Sequence, residues 1–330
     1  MGCASHCAGG RIPAVAFDLQ ALAKKYGRTL VGQFAANARN PSIRAAYREL
    51  GLVPAGFPAE SELGGLEKLI DPGNGFVDMP AWLERAVQCQ GPICRVEIDN
   101  EPMGTGFLVG PSAVLTNHHV LAKVIAEPKL LPRVKLRFDY KRLRDGTILS
   151  GTLLAIRTLL DHSPATDGEL AGDPGKIDPT ADHLDFALIE TEGAAGAEPI
   201  RVPGVADGKR RGWIRVPDPE AVIDPDPYAP DLPVLIAQHP LGQPLSLAIE
   251  WKSMIGTNTS ATRVRHRTNT QAGSSGSPCF DRNWNLIALH HYGDAKYGHA
   301  PLFNQGIPIA AIRKQIEEKG LGGALGGDIP

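Results

Sequence analysis

The 330-residue chain lacks a long hydrophobic run. No stretch of it approaches the ~18 apolar residues that span a membrane. Its first twenty residues contain no basic segment ahead of their short apolar stretch, so they make a poor secretory signal. The formal net charge is only −2. A chain with this balance has no overall electrostatic attraction to nucleic acid or to an anionic membrane. We therefore expect no nucleic-acid partner and no membrane partner.

Cysteine is also scarce, with five residues, and aromatic residues make up 6% of the chain. An odd cysteine count without metal-ligand spacing favours reduced thiols, so we expect a cytoplasmic protein. Cys3 and Cys7 flank His6, but no fourth ligand is evident, and a frayed terminus explains them better than a metal site. The opening Met-Gly-Cys is a poor acylation signal because position 6 is not Ser or Thr.

Glycine and proline are abundant instead, with 37 and 28 residues. From residue 91 onward, about twelve short apolar runs such as GTGFLVG and DFALIE alternate with turn residues, which is typical of a β-sandwich or barrel. Two stretches rich in Asp, Pro and Gly, 161–182 and 217–233, are typical of surface loops. We predict a mainly β domain over residues 91–318 that closes with the helix PIAAIRKQIEEKG.

The two ends of the chain differ from this β region. Residues 1–90 contain helical patterns, the last of them DMPAWLERAVQ with Pro80 near its start. We predict a helical N-terminal extension or adaptor over 1–90. Residues 319–330 are small and glycine-rich, and we predict a flexible tail there.

A serine bracketed by glycines lies in the hexapeptide GSSGSP, residues 273–278. A nucleophilic hydroxyl must stand on a tight turn whose N–H groups converge on one point, where they bind an oxyanion. Gly273 and Gly276 permit such a turn. Ordinary Gly/Ser loops have the same composition, so the hexapeptide alone is a weak signal for Ser275 as a nucleophile.

Two further motifs supply a base and an acid. The run LTNHHV at 115–120 ends an apolar segment in a histidine pair, and a general base needs a ring held in one tautomer. Asp185 opens the apolar run DFALIE, where a buried carboxylate needs a partner such as a histidine N–H. Taken singly, the histidine pair is explained equally well by a structural role, and Asp185 by capping of a strand. Asp182 is an alternative candidate for the acid.

The three motifs occur in the order His, Asp, Ser, which is the order in chymotrypsin. Over residues 91–318 the sequence resembles the chymotrypsin-like serine peptidases, and within them the bacterial branch that contains the glutamyl endopeptidases. The T-N-x-H-V and G-x-S-G-S-P motifs of that branch are unbroken here. The resemblance implies a double six-stranded β-barrel with His119 as general base, Asp185 as orienting acid and Ser275 as nucleophile. His118 falls at the variable position.

The resemblance also implies an oxyanion hole and a substrate pocket. The N–H groups of Gly273 and Ser275 match the oxyanion hole. Thr270, five residues before the serine, and His290, fifteen after it, match the pocket of the glutamyl branch. A hydroxyl and an imidazole can bind a carboxylate, so this pair implies cleavage after Glu or Asp. Asn269 stands where a basic-specific pocket would have Asp.

Four neighbouring residues have open interpretations. His291 replaces an aromatic residue of the commonest pattern, and it is either structural or in contact with substrate. Three arginines alternate along a predicted strand, where they either raise the local positive potential or form a solvated face: Arg263, Arg265 and Arg267.

These residues predict a serine endopeptidase that acts on proteins or peptides through an acyl-enzyme, without a metal or an organic cofactor. Residues 1–90 weakly resemble the helical adaptors fused to trypsin-like peptidases in bacterial conflict systems. That resemblance implies a regulated intracellular bacterial effector with a protein partner bound through 1–90. The alternatives are a helical extension packed on the barrel, a peptide-binding module that keeps a latent peptidase fold, and an esterase.

Overall fold

The computed structural model describes residues 76–171, 178–200, 209–218, 226–293 and 302–327. Within these ranges the protein is mainly β, with thirteen strands in two antiparallel sheets and four α-helices. The helices predicted before residue 76, the Cys3, His6 and Cys7 cluster, and most of the proposed partner-binding region lie outside the described residues.

The first sheet is a closed barrel with the strand order β1-β2-β3-β6-β5-β4. Its strands hold the histidine and aspartate motifs at their ends. They are β1 (Ile93–Ile98), β2 (Glu101–Leu108), β3 (Ala113–Thr116), β4 (Val134–Phe138), β5 (Thr152–Ser163) and β6 (Phe186–Thr191).

Strand β4 shows why these segments close into a barrel. Its sequence VKLRF alternates, so that Val134, Leu136 and Phe138 are buried while the residues between them reach the outside. A period of two places one row of side chains on one face of a strand. The buried row packs in an apolar cluster with β1 and with the helix that follows β3.

The second sheet has seven strands in the order β8-β7-β11-β12-β13-β10-β9, and it curves into a half-barrel. The prediction of a chymotrypsin-like double barrel is therefore confirmed. The strands are β7 (Val234–Gln238), β8 (Ser246–Glu250), β9 (Met254–Thr257), β10 (Val264–His266), β11 (Pro278–Phe280), β12 (Leu286–Gly293) and β13 (Asn304–Pro308).

A shared apolar core joins the two sheets. Phe107 and Phe186 from the first sheet pack in one cluster with Leu235, Phe280 and Leu289 from the second. Burial of such large side chains stabilises the fold by roughly 1.5–3 kcal/mol for each of them. The interface between the sheets therefore positions the segments at their edges, and the three predicted catalytic motifs lie in such segments.

The helices are α1 (Met79–Gln90), α2 (His118–Ala126), α3 (Asp167–Leu170) and α4 (Ile309–Glu318). Helix α1 begins where the sequence predicts, since the Asp78 carboxylate accepts from the N–H of Ala81 at 3.0 Å and Pro80 lies in the first turn. Its Trp82 ring donates to the carbonyl of Arg282 at 2.8 Å. No helix among the described residues is both long and apolar enough to cross a bilayer.

The prediction of a flexible tail does not hold for residues 319–327. A 3₁₀ turn at Gly322–Ala324 follows α4, and Leu321, Ala324 and Leu325 pack against the core. The N–H of Gly326 donates to the carbonyl of Val109 at 2.8 Å. The small residues that suggested flexibility instead allow close packing, because a Cβ at position 326 would lie 2.2 Å from the Trp213 ring.

Candidate active site

The first barrel brings the histidine and aspartate motifs together. Strands β3 and β6 pair with Thr116 opposite Ala187, so the residues after β3 lie beside the residues before β6. The side-chain amide of Asn117 donates to the carbonyl of Asp185 at 2.8 Å and ties the two loops together. Helix α2 starts at His118, which turns the His119 side chain toward the same loop.

Two hydrogen bonds join His119 to Asp185. The His119 Nδ1 lies 2.6 Å from the Asp185 Oδ2, and the backbone N–H of His119 donates to Oδ1 at 2.9 Å. Asp185 is fully buried, whereas the His119 side chain is 26% exposed. The alternative acid, Asp182, is exposed, and its carbonyl accepts from the Ser163 hydroxyl. The geometry therefore selects Asp185 as the partner of His119.

The charge on Asp185 follows from its neighbours. Burial on its own would raise the pKa of this carboxyl, but His119 and His291 more than offset burial and hold the pKa well below its usual range. Asp185 is therefore an acceptor-only carboxylate, and its partner nitrogen on His119 must carry the proton. The other ring nitrogen of neutral His119, Nε2, is then a free base.

Ser275 lies on a tight turn that both bracketing glycines make possible. Gly273 has a φ of 91° and Gly276 a φ of 85°, a region that side chains disfavour. A Cβ on Gly276 would also lie 2.1 Å from the carbonyl oxygen of Thr105. The turn is anchored to the first barrel, since the N–H of Thr105 donates to the carbonyl of Ser275 and its hydroxyl to that of Gly273, both at 2.8 Å.

The Ser275 hydroxyl donates to the carbonyl of His291 at 3.4 Å. Within the described ranges, no hydrogen bond joins this hydroxyl to the His119 ring. His291 nevertheless links the motifs, because its ring shares the Asp185 carboxylate with His119. The structure thus brings all three predicted catalytic residues to one site.

Two backbone donors at the Ser275 turn have no acceptor among the described residues. In the part of the chain that the structure describes, the N–H groups of Gly273 and Ser275 donate to no backbone or side-chain oxygen. The neighbouring N–H groups of Ser274 and Gly276 are used, on the carbonyls of Gln271 and His290. Unpaired N–H groups on such a turn are available to bind an oxyanion.

The predicted pocket residues differ in exposure. His290 is 3% exposed on β12, and its ring packs edge-on against the His266 ring with 5.6 Å between centroids. Burial, together with the neighbouring imidazoles of His266, His291 and His119, holds the pKa of His290 well below its ordinary value. Thr270 is partly exposed on the segment that leads from β10 to the Ser275 turn. No hydrogen bond joins Thr270 and His290 in the described part of the chain.

Behind the predicted triad lies a buried ionic network. The His291 ring contacts Asp185 through Nδ1 at 2.5 Å and Glu169 Oε1 through Nε2 at 3.2 Å. Arg263 then donates to both oxygens of Glu169, from Nε at 2.7 Å and from a terminal nitrogen at 2.8 Å. His291, Glu169 and Arg263 are each at most 2% exposed.

Glu169 corrects the prediction that residues 161–182 form a surface loop. Strand β5 extends to Ser163, and Asp167–Leu170 is a short helix with a capping box. The N–H of Glu169 donates to the Thr166 hydroxyl, and the Glu169 carboxylate accepts from the N–H of Thr166. A Thr-x-x-Glu sequence is the signal for such a box, and it could have revealed this helix.

The three arginines that alternate in the sequence do not share one face. Arg263 is 1% exposed and bound to Glu169, so the interpretation as a solvated strand is wrong for it. Arg265 lies over the Phe303 ring at 4.7 Å. Arg267 is exposed and lies 3.7 Å from Asp231. His291, left open by the sequence, is a buried partner of Asp185 rather than a residue that lines an exposed pocket.

A metal ion is not needed to explain the cluster at the site. Ligand atoms of His119, Asp185 and His291 lie within 4.8 Å of one another. The Asp185 carboxylate, however, already pairs with a nitrogen of each ring at hydrogen-bond distance. Hydrogen bonding therefore accounts for this arrangement.

Comparison with known proteins identifies the family of this chain. A family model described as a trypsin-like peptidase domain matches residues 104–289, more than half of the chain. The match includes all three predicted catalytic residues.

Two curated proteins show sequence similarity. The uncharacterized protein y4fB of Sinorhizobium fredii is 25% identical over 224 residues, which is 64% of this chain and 29% of that protein. The secreted RxLR effector protein 73 of Plasmopara viticola is 32% identical over 118 residues, which is 33% of this chain and 25% of that protein. The chain therefore matches less than a third of the length of either relative.

Two solved structures show similarity at low identity. An HtrA-type protease with a tripeptide is 13% identical with a TM-score of 0.43, and the match covers 73% of this chain and 63% of that one. Deg5 is 14% identical with a TM-score of 0.44, and the match covers 73% of this chain and 95% of that one. From the extent of the family match, the chain belongs to the trypsin-like peptidases.

Proposed function

We propose that this protein is a serine endopeptidase in which Ser275, His119 and Asp185 form the catalytic triad. The observation that carries the proposal is the buried Asp185 carboxylate, which is bonded to His119 Nδ1 at 2.6 Å beside the Ser275 turn. A peptidase of the trypsin-like family needs such a pair to make a serine hydroxyl nucleophilic.

The mechanism uses residues of this chain at every step. The Ser275 hydroxyl turns from the His291 carbonyl toward His119 and gives its proton to Nε2, while Oγ attacks the substrate carbonyl. The N–H groups of Gly273 and Ser275 stabilise the resulting oxyanion. His119 then protonates the leaving amine, and a water molecule, deprotonated by His119, hydrolyses the acyl-enzyme.

We further propose that the enzyme cleaves after acidic residues, because Thr270 and His290 stand at the sequence positions that match the carboxylate-binding pocket of the glutamyl branch. A buried neutral imidazole gains a favourable partner when a carboxylate approaches, since the pair forms a charge-assisted hydrogen bond. Burial lowers the pKa of His266, the ring behind His290, to about 3. His266 is therefore neutral at neutral pH. It places no positive charge beside His290, so it does not oppose protonation of His290 when a carboxylate binds.

Cleavage-site profiling on a peptide library tests this function. Wild-type protein is expected to cut after Glu or Asp, and Ser275→Ala is expected to cut nowhere. Thr270→Val removes a hydroxyl at nearly constant size, and we expect it to weaken the preference for an acidic residue. Thr257→Val, at the exposed end of β9, is the matched control. Cleavage after basic or large apolar residues would refute the specificity, and equal cleavage by Ser275→Ala would refute the nucleophile.

One observation favours a second candidate, a peptide-binding module with a latent peptidase site. The Ser275 hydroxyl is bonded to the His291 carbonyl rather than to His119. Such a module would bind the peptides of the library equally well as wild type and as Ser275→Ala, and would cleave none of them.

We also propose a regulated role in the bacterial cytoplasm, with a protein partner bound through residues 1–90. Support for the cytoplasm comes from Cys89, Cys94 and Cys279, which are free and buried. Burial raises the pKa of the Cys89 thiol to about 12 and so keeps it unreactive. Pull-down with the isolated wild-type chain and with chains lacking 1–75 or 1–90 would test the partner: its retention by the chain that lacks 1–90 would refute this assignment.

A further inference from the structure

His291 is held between two carboxylates. Its Nδ1 lies 2.5 Å from Asp185 Oδ2, and its Nε2 lies 3.2 Å from Glu169 Oε1. The ring comes from β12, Asp185 from the segment before β6, and Glu169 from the short helix α3. Three separate parts of the chain thus meet at one imidazole.

Both carboxylates are fixed as acceptors. Asp185 accepts from the backbone N–H and the ring of His119. Glu169 accepts two bonds from Arg263 and two from Thr166. An ionised carboxylate offers no proton, so a ring that bonds two of them must donate from both nitrogens. Only the positively charged form of histidine has two N–H donors.

We propose that His291 is a positioning residue of the active site: as a buried imidazolium it donates to the same Asp185 oxygen, Oδ2, that His119 contacts, fixes that carboxylate and offsets its negative charge. The proposal rests on the proposed function, in which His119 acts as the base on Ser275. It goes beyond that function because it adds a fourth group, and an ionic chain behind it, to the three residues of the triad.

The balance of forces on the ring agrees with a charged state. Burial would lower the pKa of His291, but the two carboxylates together offset burial and raise the pKa above its ordinary value. The titratable and charged groups that face the His291 ring in the described residues are Asp185, Glu169, Arg263, His290, His119 and Tyr292. Those that face the His119 ring are Asp185, His291, His290 and His118.

The charge on His291 has a calculable effect on His119. The two ring centroids are 6.0 Å apart. At effective dielectric constants between those of a protein site and of water, one positive charge at this distance lowers a neighbouring pKa by about half a unit to two units. Without His291, the negative charge of Asp185 would act on the His119 ring uncompensated.

The variant His291→Gln tests this coupling in the full-length protein. We expect the acidic limb of its kcat/KM profile to move to higher pH by about half a unit to two units, with a lower kcat and little change in KM. His183→Gln is the matched control, because its ring lies outside the network and, among the described residues, forms its one hydrogen bond with Thr180. A purely structural role would lower thermal stability and leave the position of the limb unchanged, and that result would overturn the proposal.

Nitrogen-15 NMR of histidine-labelled wild-type protein gives a second readout that needs neither activity nor a variant fold. We expect one imidazole to keep two N–H protons at pH 7.5, and its signals to be absent from His291→Gln if that variant folds. If every imidazole is neutral at that pH, the proposal is overturned. A protonated ring in a protein that does not react with a fluorophosphonate would refute the peptidase function and leave the ionic network intact.

Discussion

The most informative stability prediction concerns the buried pair of Arg263 and Glu169. Arg263 is 1% exposed, and its guanidinium donates four hydrogen bonds: two to Glu169, one to the carbonyl of His183 at 2.8 Å and one to that of Thr262 at 2.8 Å. The variant Arg263→Met keeps an unbranched side chain but removes the charge and every donor. It leaves the Glu169 carboxylate buried beside His291 without its bidentate partner.

The expected cost follows from the loss of one partner of a buried ion pair. Such a loss destabilises a protein by about 3–5 kcal/mol, because the remaining charge stays desolvated without the partner that offset it best. The double variant Arg263→Met with Glu169→Gln removes both charges, and we expect it to recover part of this loss. Arg157→Met is the matched control. Arg157 is 59% exposed and lies 3.4 Å from Glu190, so its removal should cost at most about 1 kcal/mol.

Equilibrium unfolding in urea, followed by tryptophan fluorescence and by circular dichroism, measures these differences. The two probes should give coincident transitions if the described domain unfolds in one step. A loss of less than about 1 kcal/mol for Arg263→Met, or a loss equal to that of Arg157→Met, would refute the argument that the pair is desolvated.

Three other variants test separate parts of the account. Gly276→Ala should destabilise by about 2–4 kcal/mol in calorimetry, because its positive φ and its contact with Thr105 both exclude a Cβ; an unchanged melting temperature would contradict this. His266 stays neutral in the folded state down to about pH 3, so the unfolded state binds its proton first and stability falls as pH drops below 6.5. His266→Phe should lose less unfolding free energy than wild type between pH 7 and 4.5, and an equal loss would show that this ring does not titrate on unfolding. Asp185→Asn should lower kcat by about 10⁴ through the wrong tautomer of His119, whereas exposed Asp182→Asn should retain activity; equal loss in both would refute the assignment of the acid.

The sequence predicts those parts of the site that depend on local motifs. His119 follows a strand and opens a helix, Asp185 opens a strand, and Ser275 lies between two glycines that need positive φ. Each motif carries its own backbone geometry, and their order along the chain matches a known arrangement. The alternating apolar runs predict the strands and a sandwich or barrel, and the resemblance carried by the motifs implies the double barrel.

The sequence does not predict the network behind the triad, because its contacts are not local. Glu169 and Arg263 are 94 residues apart, and His291 and Glu169 are 122 apart. A charged residue in a polar stretch is predicted to be exposed to solvent. Only the tertiary fold shows that Glu169, in the polar stretch 161–182, is buried. The prediction of a flexible tail did not hold for residues 319–327 for a related reason. Small residues suit close packing as well as disorder, and the sequence alone does not distinguish the two.

The central claim is that Ser275 is the nucleophile activated by His119. Its most direct test is a fluorophosphonate reaction with the full-length protein, followed by peptide mapping in a mass spectrometer. The account predicts one adduct, on Ser275, and loss of that adduct in His119→Ala as well as in Ser275→Ala. An adduct on the neighbouring Ser274, whose buried hydroxyl accepts from the N–H of Gln271, or labelling that persists in Ser275→Ala, would contradict it.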